Sequence, residues 1–144
     1  MNLLKEKTIN HALSFGFGGM TIGELEYIYD FCKDKIILEL GSEVGQSSYV
    51  MASIANSLVC VDVWDDSYEH LEHDQRQKNI YLYIKNAKDK VLNEKTTFQK
   101  FKENCQEYID TNKIKFIKDL TTKDHTNFKD NYFDLILKIG RAHV

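Results

Sequence analysis

The sequence predicts an α/β protein built on a Rossmann-like open parallel sheet, with strand order 3-2-1-4 and helices on both faces. Short apolar runs alternate along the chain with patterns of helical periodicity. The first two runs are joined by a glycine-bearing turn and a helix-compatible stretch. Because strand, helix and strand in succession almost always form a right-handed βαβ unit, we expect the first two strands to be parallel neighbours.

The first predicted helix begins in the stretch TIGELEYIYDFC, where Thr21 and Glu24 have the spacing of a capping box. Its apolar positions share one helical face: Ile22, Leu25, Ile28 and Tyr29. IILEL at 36–40 is short, apolar and bounded by charge and Gly41, which predicts a strand buried on both faces. The small residues of 46–56 predict the helix that follows, and LVCVDV at 58–63 predicts the second strand.

Two further amphipathic helices are predicted after the second strand. Apolar residues recur at helical spacing in two sets: Ile80, Ile84, Ala87 and Val91, then Phe98, Phe101, Cys105 and Tyr108. IKFIKD at 114–119 and YFDLIL at 132–137 predict the third and fourth strands. We find neither a Pro-rich nor a Gly/Ser-rich linker, and no internal repeat, so we predict a single domain.

Composition narrows the functional classes. A net charge of -3 and a pI near 5.9 argue against a protein that binds nucleic acid through a basic face. No apolar run reaches the roughly 18 residues of a membrane span, and the N-terminal residues do not resemble a secretory signal, so we predict a cytoplasmic protein without membrane partners.

Cys32, Cys60 and Cys105 lack CxxC spacing, which predicts buried free thiols. His70 and His73 lie one helical turn apart, but we predict solvated side chains and no metal.

The segment ELGSEVGQSS at 39–48 lies where the first strand passes into its helix, which is where open α/β sheets bind nucleotides and related ligands. Gly41 permits a sharp turn, and Gly45 permits a ligand to approach the backbone. The start of the helix favours a carboxylate or phosphate. Asp62 ends the second strand, where a carboxylate can accept hydrogen bonds from ribose hydroxyls. Trp64, which follows, is compatible with the mouth of a site and equally with an ordinary loop.

ELGSEVGQSS followed by VCVDVW resembles the cofactor-binding half of class I S-adenosylmethionine-dependent methyltransferases, in the subgroup whose glycine motif is E-x-G-S-x-x-G-x-S. The resemblance covers about residues 20–137. Glu43 replaces the middle glycine of the common motif, and the dinucleotide-binding GxGxxG is absent.

The resemblance implies S-adenosylmethionine as cofactor and methyl transfer to an oxygen or nitrogen atom of a small-molecule acceptor. By the same resemblance, the methionyl end of the cofactor is surrounded by Glu39, Gly41, Ser42 and Gly45. Asp62 would bind the ribose, Val63 would pack on the adenine, and Asp119 would contact the adenine amino group. Three alternatives stay open: an NAD(P)-dependent oxidoreductase, a related α/β hydroxylase of the antibiotic-tailoring type, and a nucleotide-binding pseudoenzyme without activity.

The end of the chain allows two interpretations. KIGRAHV at 138–144 aligns with a family segment like I-D-G-x-H, which would make His143 a candidate catalytic residue, but Gly140 stands where the acid belongs. IGRAHV is also a direct translation of a common sequencing-adapter read, and Arg141 is one of only two arginines, with Arg76. We therefore predict that residues 139–144 are a non-native adapter tail, partly including Lys138. Residues 1–138 would then be the partial, cofactor-binding half of the domain, inactive alone and without the catalytic residues.

Overall fold

The computed structural model describes residues 2–16, 19–64, 79, 83, 86, 92, 95–119, 128 and 130–138. The helices in these residues are α1 (Leu3–Leu13), α2 (Ile22–Phe31), α3 (Gln46–Ile54), α4 (Thr97–Asn104) and α5 (Gln106–Asp110). The strands are β1 (Ile36–Leu40), β2 (Ser57–Asp62), β3 (Ile114–Lys118) and β4 (Leu135–Lys138). The predictions for residues 139–144, including His143, and for His70 and His73 lie outside the described residues.

The four strands form a parallel sheet in the order β3-β2-β1-β4, flanked by helices, which confirms the predicted Rossmann-like class. β4 begins at Leu135, three residues later than predicted. Asp134 sets this start, because its N–H donates to the Ile36 carbonyl and its carboxylate accepts from the Ile36 N–H, both at 2.8 Å. Tyr132 and Phe133 lie before the strand and pack their rings against each other.

The predicted capping box at α2 is confirmed: Thr21 Oγ1 accepts from the Glu24 N–H, and the Glu24 carboxylate accepts from the Thr21 N–H. Leu25, Ile28 and Tyr29 are buried as predicted, whereas Ile22 is 56% exposed. Helical periodicity gives the direction of a side chain around the axis, but not how far along the axis a neighbouring element reaches. Burial on α2 therefore starts one turn later than the apolar pattern does.

The two faces of the sheet pack against different partners, because successive strand residues point in opposite directions. On one face, the sheet residues Ile37, Leu58, Cys60 and Ile114 join a core that α1, α2, α3 and α4 enter, through residues such as Ala12, Leu25, Met51 and Phe101. On the other face, Leu38, Val59 and Val61 pack against Phe128 and Phe133 from the β3–β4 connection. Most of that connection, including any helix on this second face, lies outside the described residues.

The helical region after β2 agrees with the prediction where it is described. Asn79, Tyr83, Asn86 and Leu92 are helical, while the four apolar positions that predicted this helix lie outside the described residues. The next predicted helix is divided at Cys105 into α4 and α5. Cys32, Cys60 and Cys105 are buried free thiols, as predicted. Among the described helices, none is long and apolar enough to cross a membrane.

Candidate functional site

The candidate site lies where the order of the sheet reverses. β1 is flanked by β2, which follows it in sequence, and by β4, which returns to its other side. Such a reversal leaves a crevice beyond the carboxyl ends of the strands, where α/β proteins bind ligands. A cavity of about 630 Å³ opens at this place. It is lined by the following residues: Gly19, Met20, Gly23, Glu24, Tyr27, Ile28, Gly41, Ser42, Glu43, Gln46, Ser47, Leu137 and Lys138.

Gly41 and Gly45 shape the turn between β1 and α3. Both have left-handed backbones, with φ of 94° and 90°, which favour glycine. The Gly41 N–H donates to the Val61 carbonyl at 2.8 Å and so continues the β1–β2 pairing into the turn. A Cβ atom on Gly45 would lie 2.6 Å from Cys105 Sγ. The missing side chain at Gly45 thus makes room for the protein's own core, a packing reason that the sequence did not show.

Glu39 is fully buried, at 0% exposure, on the helix-facing side of β1. Three serine hydroxyls donate to its carboxylate: Ser42 at 2.6 Å and Ser48 to Oε1, and Ser47 at 2.5 Å to Oε2. Each serine belongs to the turn or to the first turn of α3. Glu39 therefore ties the end of β1 to the start of α3 from beneath the turn, and Ser42 and Ser47 separate it from the cavity that they line.

The electrostatics of Glu39 reflect two opposing effects. Burial raises the pKa of the Glu39 carboxyl above its ordinary value of 4.5, and the serine hydroxyls oppose this shift by stabilising the charged form. Burial also raises the pKa of the Cys60 thiol well above its ordinary value, and the negative charge of the nearby Glu39 carboxylate is a second, smaller cause. Cys60 is the residue opposite Glu39 in the β1–β2 register. The thiol is consequently a neutral, inert part of the core.

Asp62 stands at the carboxyl end of β2, as predicted, and uses both carboxylate oxygens. Oδ2 accepts from the Glu43 N–H and Oδ1 from the Trp64 N–H, each at 2.8 Å. An ionised carboxylate has about four acceptor positions, so each oxygen keeps capacity for a further donor. The Asp62 carbonyl accepts from the Asp119 N–H at 2.9 Å, which brings the third-strand acid to the same edge of the sheet. Val63 and Asp119 are both partly buried there.

Two further residues support the turn: Trp64, for which the sequence left both a site and an ordinary loop open, and Gln46, to which the sequence assigned no role. Trp64 donates from Nε1 to the Glu43 carbonyl at 2.6 Å. Gln46 accepts at Oε1 from the Met20 N–H at 3.1 Å and so joins the start of α3 to the segment before α2. Both contacts join residues that are far apart in the sequence, and neither has a periodic or motif signal.

α3 offers a further set of donors. Its N-cap is Gly45, which has no side chain to cap the helix. The first N–H groups of a helix have no partner within the helix, and they carry a partial positive charge. The turn and this helix start therefore suit an anionic group such as a carboxylate, while Asp62 suits a donor such as a hydroxyl.

The described residues contain no group of three or more His, Cys, Asp or Glu side chains placed to hold a metal ion. No protein-family model matches the chain, and a search of curated proteins gives no significant match. The fold and the site define the protein as a Rossmann-like α/β protein with a candidate ligand crevice at the strand reversal. Any narrower function has to be argued from the site itself.

Proposed function

We propose that the protein binds S-adenosylmethionine at the β1–α3 turn and that its activity is methyl transfer to an oxygen or nitrogen atom of a small molecule. The observation that supports this proposal is the joining of the glycine turn to the acid of β2. The backbone of Glu43, which lines the cavity, is hydrogen bonded at 2.8 Å to the carboxylate of Asp62. One ligand with a charged end and a ribose could contact the turn and Asp62 together.

The donors and acceptors of the site fit the chemical groups of this cofactor. A carboxylate suits the N–H groups at the helix start beside Gly45, whereas the Ser42 and Ser47 hydroxyls, whose single protons go to Glu39, line the cavity as acceptors. The remaining lone pairs of Asp62 suit the two hydroxyls of a ribose. Glu39 would act differently from the other proposed residues, because its oxygens are enclosed by serines. Its contribution would be to fix those serines in place.

When bound, the cofactor supplies a methyl group activated by a sulfonium. The protein's own contribution would be to hold the reacting atoms in line and, for some acceptors, to remove a proton. The ionisable groups among the described residues that line the cavity are Glu24, Tyr27, Glu43 and Lys138, and we assign no catalytic role to any of them. A cytoplasmic location remains a prediction and agrees with a small-molecule substrate.

Titration calorimetry with S-adenosylmethionine, S-adenosylhomocysteine and NAD tests the proposal. We expect both sulfur compounds to bind and NAD to bind more weakly or not at all. Thr96→Ala is a suitable control, because it removes a capping box at α4, away from the cavity, and should leave affinity unchanged. Tight binding of NAD alone would favour an oxidoreductase and contradict the proposal. Because we predict residues 1–138 to be inactive alone, binding is the deciding quantity, and an absence of binding by both sulfur compounds would also contradict the proposal.

A further inference from the structure

Trp64 contacts the ligand-facing turn from outside the cavity. Its indole Nε1–H donates to the carbonyl of Glu43 at 2.6 Å, and its own backbone N–H donates to Asp62 at 2.8 Å. The Glu43 N–H also donates to Asp62 at 2.8 Å. The N–H of Glu43 is therefore held by Asp62, at the end of β2, and its C=O by Trp64, two residues further on. Three hydrogen bonds form one closed unit, which we call the turn clasp (Glu43, Asp62 and Trp64).

The backbone conformations in the turn clasp require such support. Glu43 and Trp64 have φ of 49° and 46°, in the left-handed region that residues other than glycine rarely adopt. At Glu43, the common motif of the resembled family has a glycine, which would adopt this conformation without steric cost. In this chain a residue with a Cβ occupies the position, so other interactions must compensate.

The Trp64 ring is anchored firmly enough to provide that compensation. The side chain is only 5% exposed, and its ring lies 4.8 Å from Phe98 and 4.7 Å from Phe101, centroid to centroid. These phenylalanines belong to α4, so the indole N–H is directed at the turn by the helical core. An indole donates one hydrogen bond at a fixed place on a rigid ring, and a phenylalanine ring could not replace it.

We propose that Trp64 is a positioning residue that holds the Glu43 peptide in its left-handed conformation and thereby orients the turn and Asp62 toward the ligand. The role in ligand binding rests on the proposed function; the role in holding the turn does not. Loss of the indole N–H should loosen the turn while the ring continues to fill the core.

The test uses the fact that the chain has a single tryptophan. Biosynthetic replacement of tryptophan by benzothienylalanine changes position 64 alone, keeps the bicyclic shape and exchanges the N–H for sulfur. We expect the Glu43 amide to exchange its hydrogen faster, by roughly fivefold, and the dissociation constant for S-adenosylhomocysteine to rise by roughly threefold to tenfold, since a neutral hydrogen bond is lost. Ile114→Val is the matched control: it removes a methylene from the same core at the amino end of β3, so it should lower the urea midpoint but change neither quantity.

An unchanged exchange rate at Glu43 would overturn the proposal. Faster exchange with unchanged affinity would overturn the part that concerns the ligand, while the proposed function would stand on the binding of the unmodified protein. If the unmodified protein binds no S-adenosylhomocysteine, the proposed function fails, and the exchange rate alone decides whether Trp64 holds the turn. Equal effects from Ile114→Val would show that both quantities follow global stability and would contradict positioning by Trp64.

Discussion

The substitution Asp62→Asn exchanges one carboxylate oxygen for an NH2 group and so tests both the turn and the proposed ligand site. Each carboxylate oxygen of Asp62 accepts one backbone N–H, from Glu43 and from Trp64. Asparagine has a single oxygen, and its second position is an NH2 group that can only donate. Whichever way the amide is turned, it faces one backbone N–H with another donor. The substitution therefore removes one charge-assisted hydrogen bond, weakens the second and leaves a partly buried N–H without its acceptor.

The magnitude follows from these losses. A hydrogen bond to a charged group contributes roughly 1.5–3 kcal/mol, so we expect the free energy of unfolding to fall by about 2–3 kcal/mol. The charged acceptor proposed for the ribose is lost as well. Affinity for S-adenosylhomocysteine should fall about tenfold or more, since each 1.4 kcal/mol is about a factor of ten.

Urea unfolding followed by circular dichroism measures the first quantity, and calorimetry the second. Asp134→Asn is the matched control, because Asp134 also accepts from a strand N–H, that of Ile36, but with one oxygen only. Its asparagine can keep a neutral hydrogen bond at the amino end of β1. We expect Asp134→Asn to cost less than about 1 kcal/mol and to leave affinity unchanged.

Equal losses of stability in the two variants would refute the reasoning, because they would mean that Asp62 does not hold both backbone groups. Unchanged affinity in Asp62→Asn, with the expected loss of stability, would show that the ribose is bound elsewhere.

Three further predictions concern the turn and its surroundings. Gly45→Ala combines a left-handed backbone with a Cβ placed 2.6 Å from Cys105 Sγ, so it should lower the free energy of unfolding by about 2–4 kcal/mol. Gly23→Ala is the control, because its Cβ meets no heavy atom of the described residues within 4 Å. It should raise the free energy of unfolding by about 0.5–1 kcal/mol in the same urea assay. Thr21→Ala removes the α2 capping box and should cost about 1 kcal/mol, and a loss below about 0.3 kcal/mol would contradict that role. Because burial raises the pKa of Glu39 above 4.5, its contribution to stability is full below about pH 4.5 and declines as pH rises through the native pKa. The Glu39→Gln variant should lack this decline. In urea titrations, its free energy of unfolding relative to that of the unmodified protein should therefore be higher at about pH 8 than at about pH 5, and parallel pH profiles of the two proteins would refute this role of Glu39.

The elements and their order were determined by the sequence, because their signals are local. The apolar runs IILEL and LVCVDV, separated by a turn and one helix, are sufficient for a parallel βαβ unit, and the structure forms it. The capping box at Thr21 depends on two residues three positions apart, so spacing alone could reveal it. Gly41 and Asp62 could be assigned to the carboxyl edge of the sheet for the same reason: their places follow from where each strand ends.

The tertiary structure alone decided how those residues are used. Glu39 is at a strand end where the sequence allows either exposure or burial, and the approach of α3 encloses it among three serines. Besides its left-handed backbone, glycine at position 45 is required by a thiol sixty residues later, at Cys105. The indole of Trp64 reaches back twenty-one residues to Glu43. Such contacts are set by the distance and angle at which packed elements meet, and hydrophobic periodicity contains neither quantity.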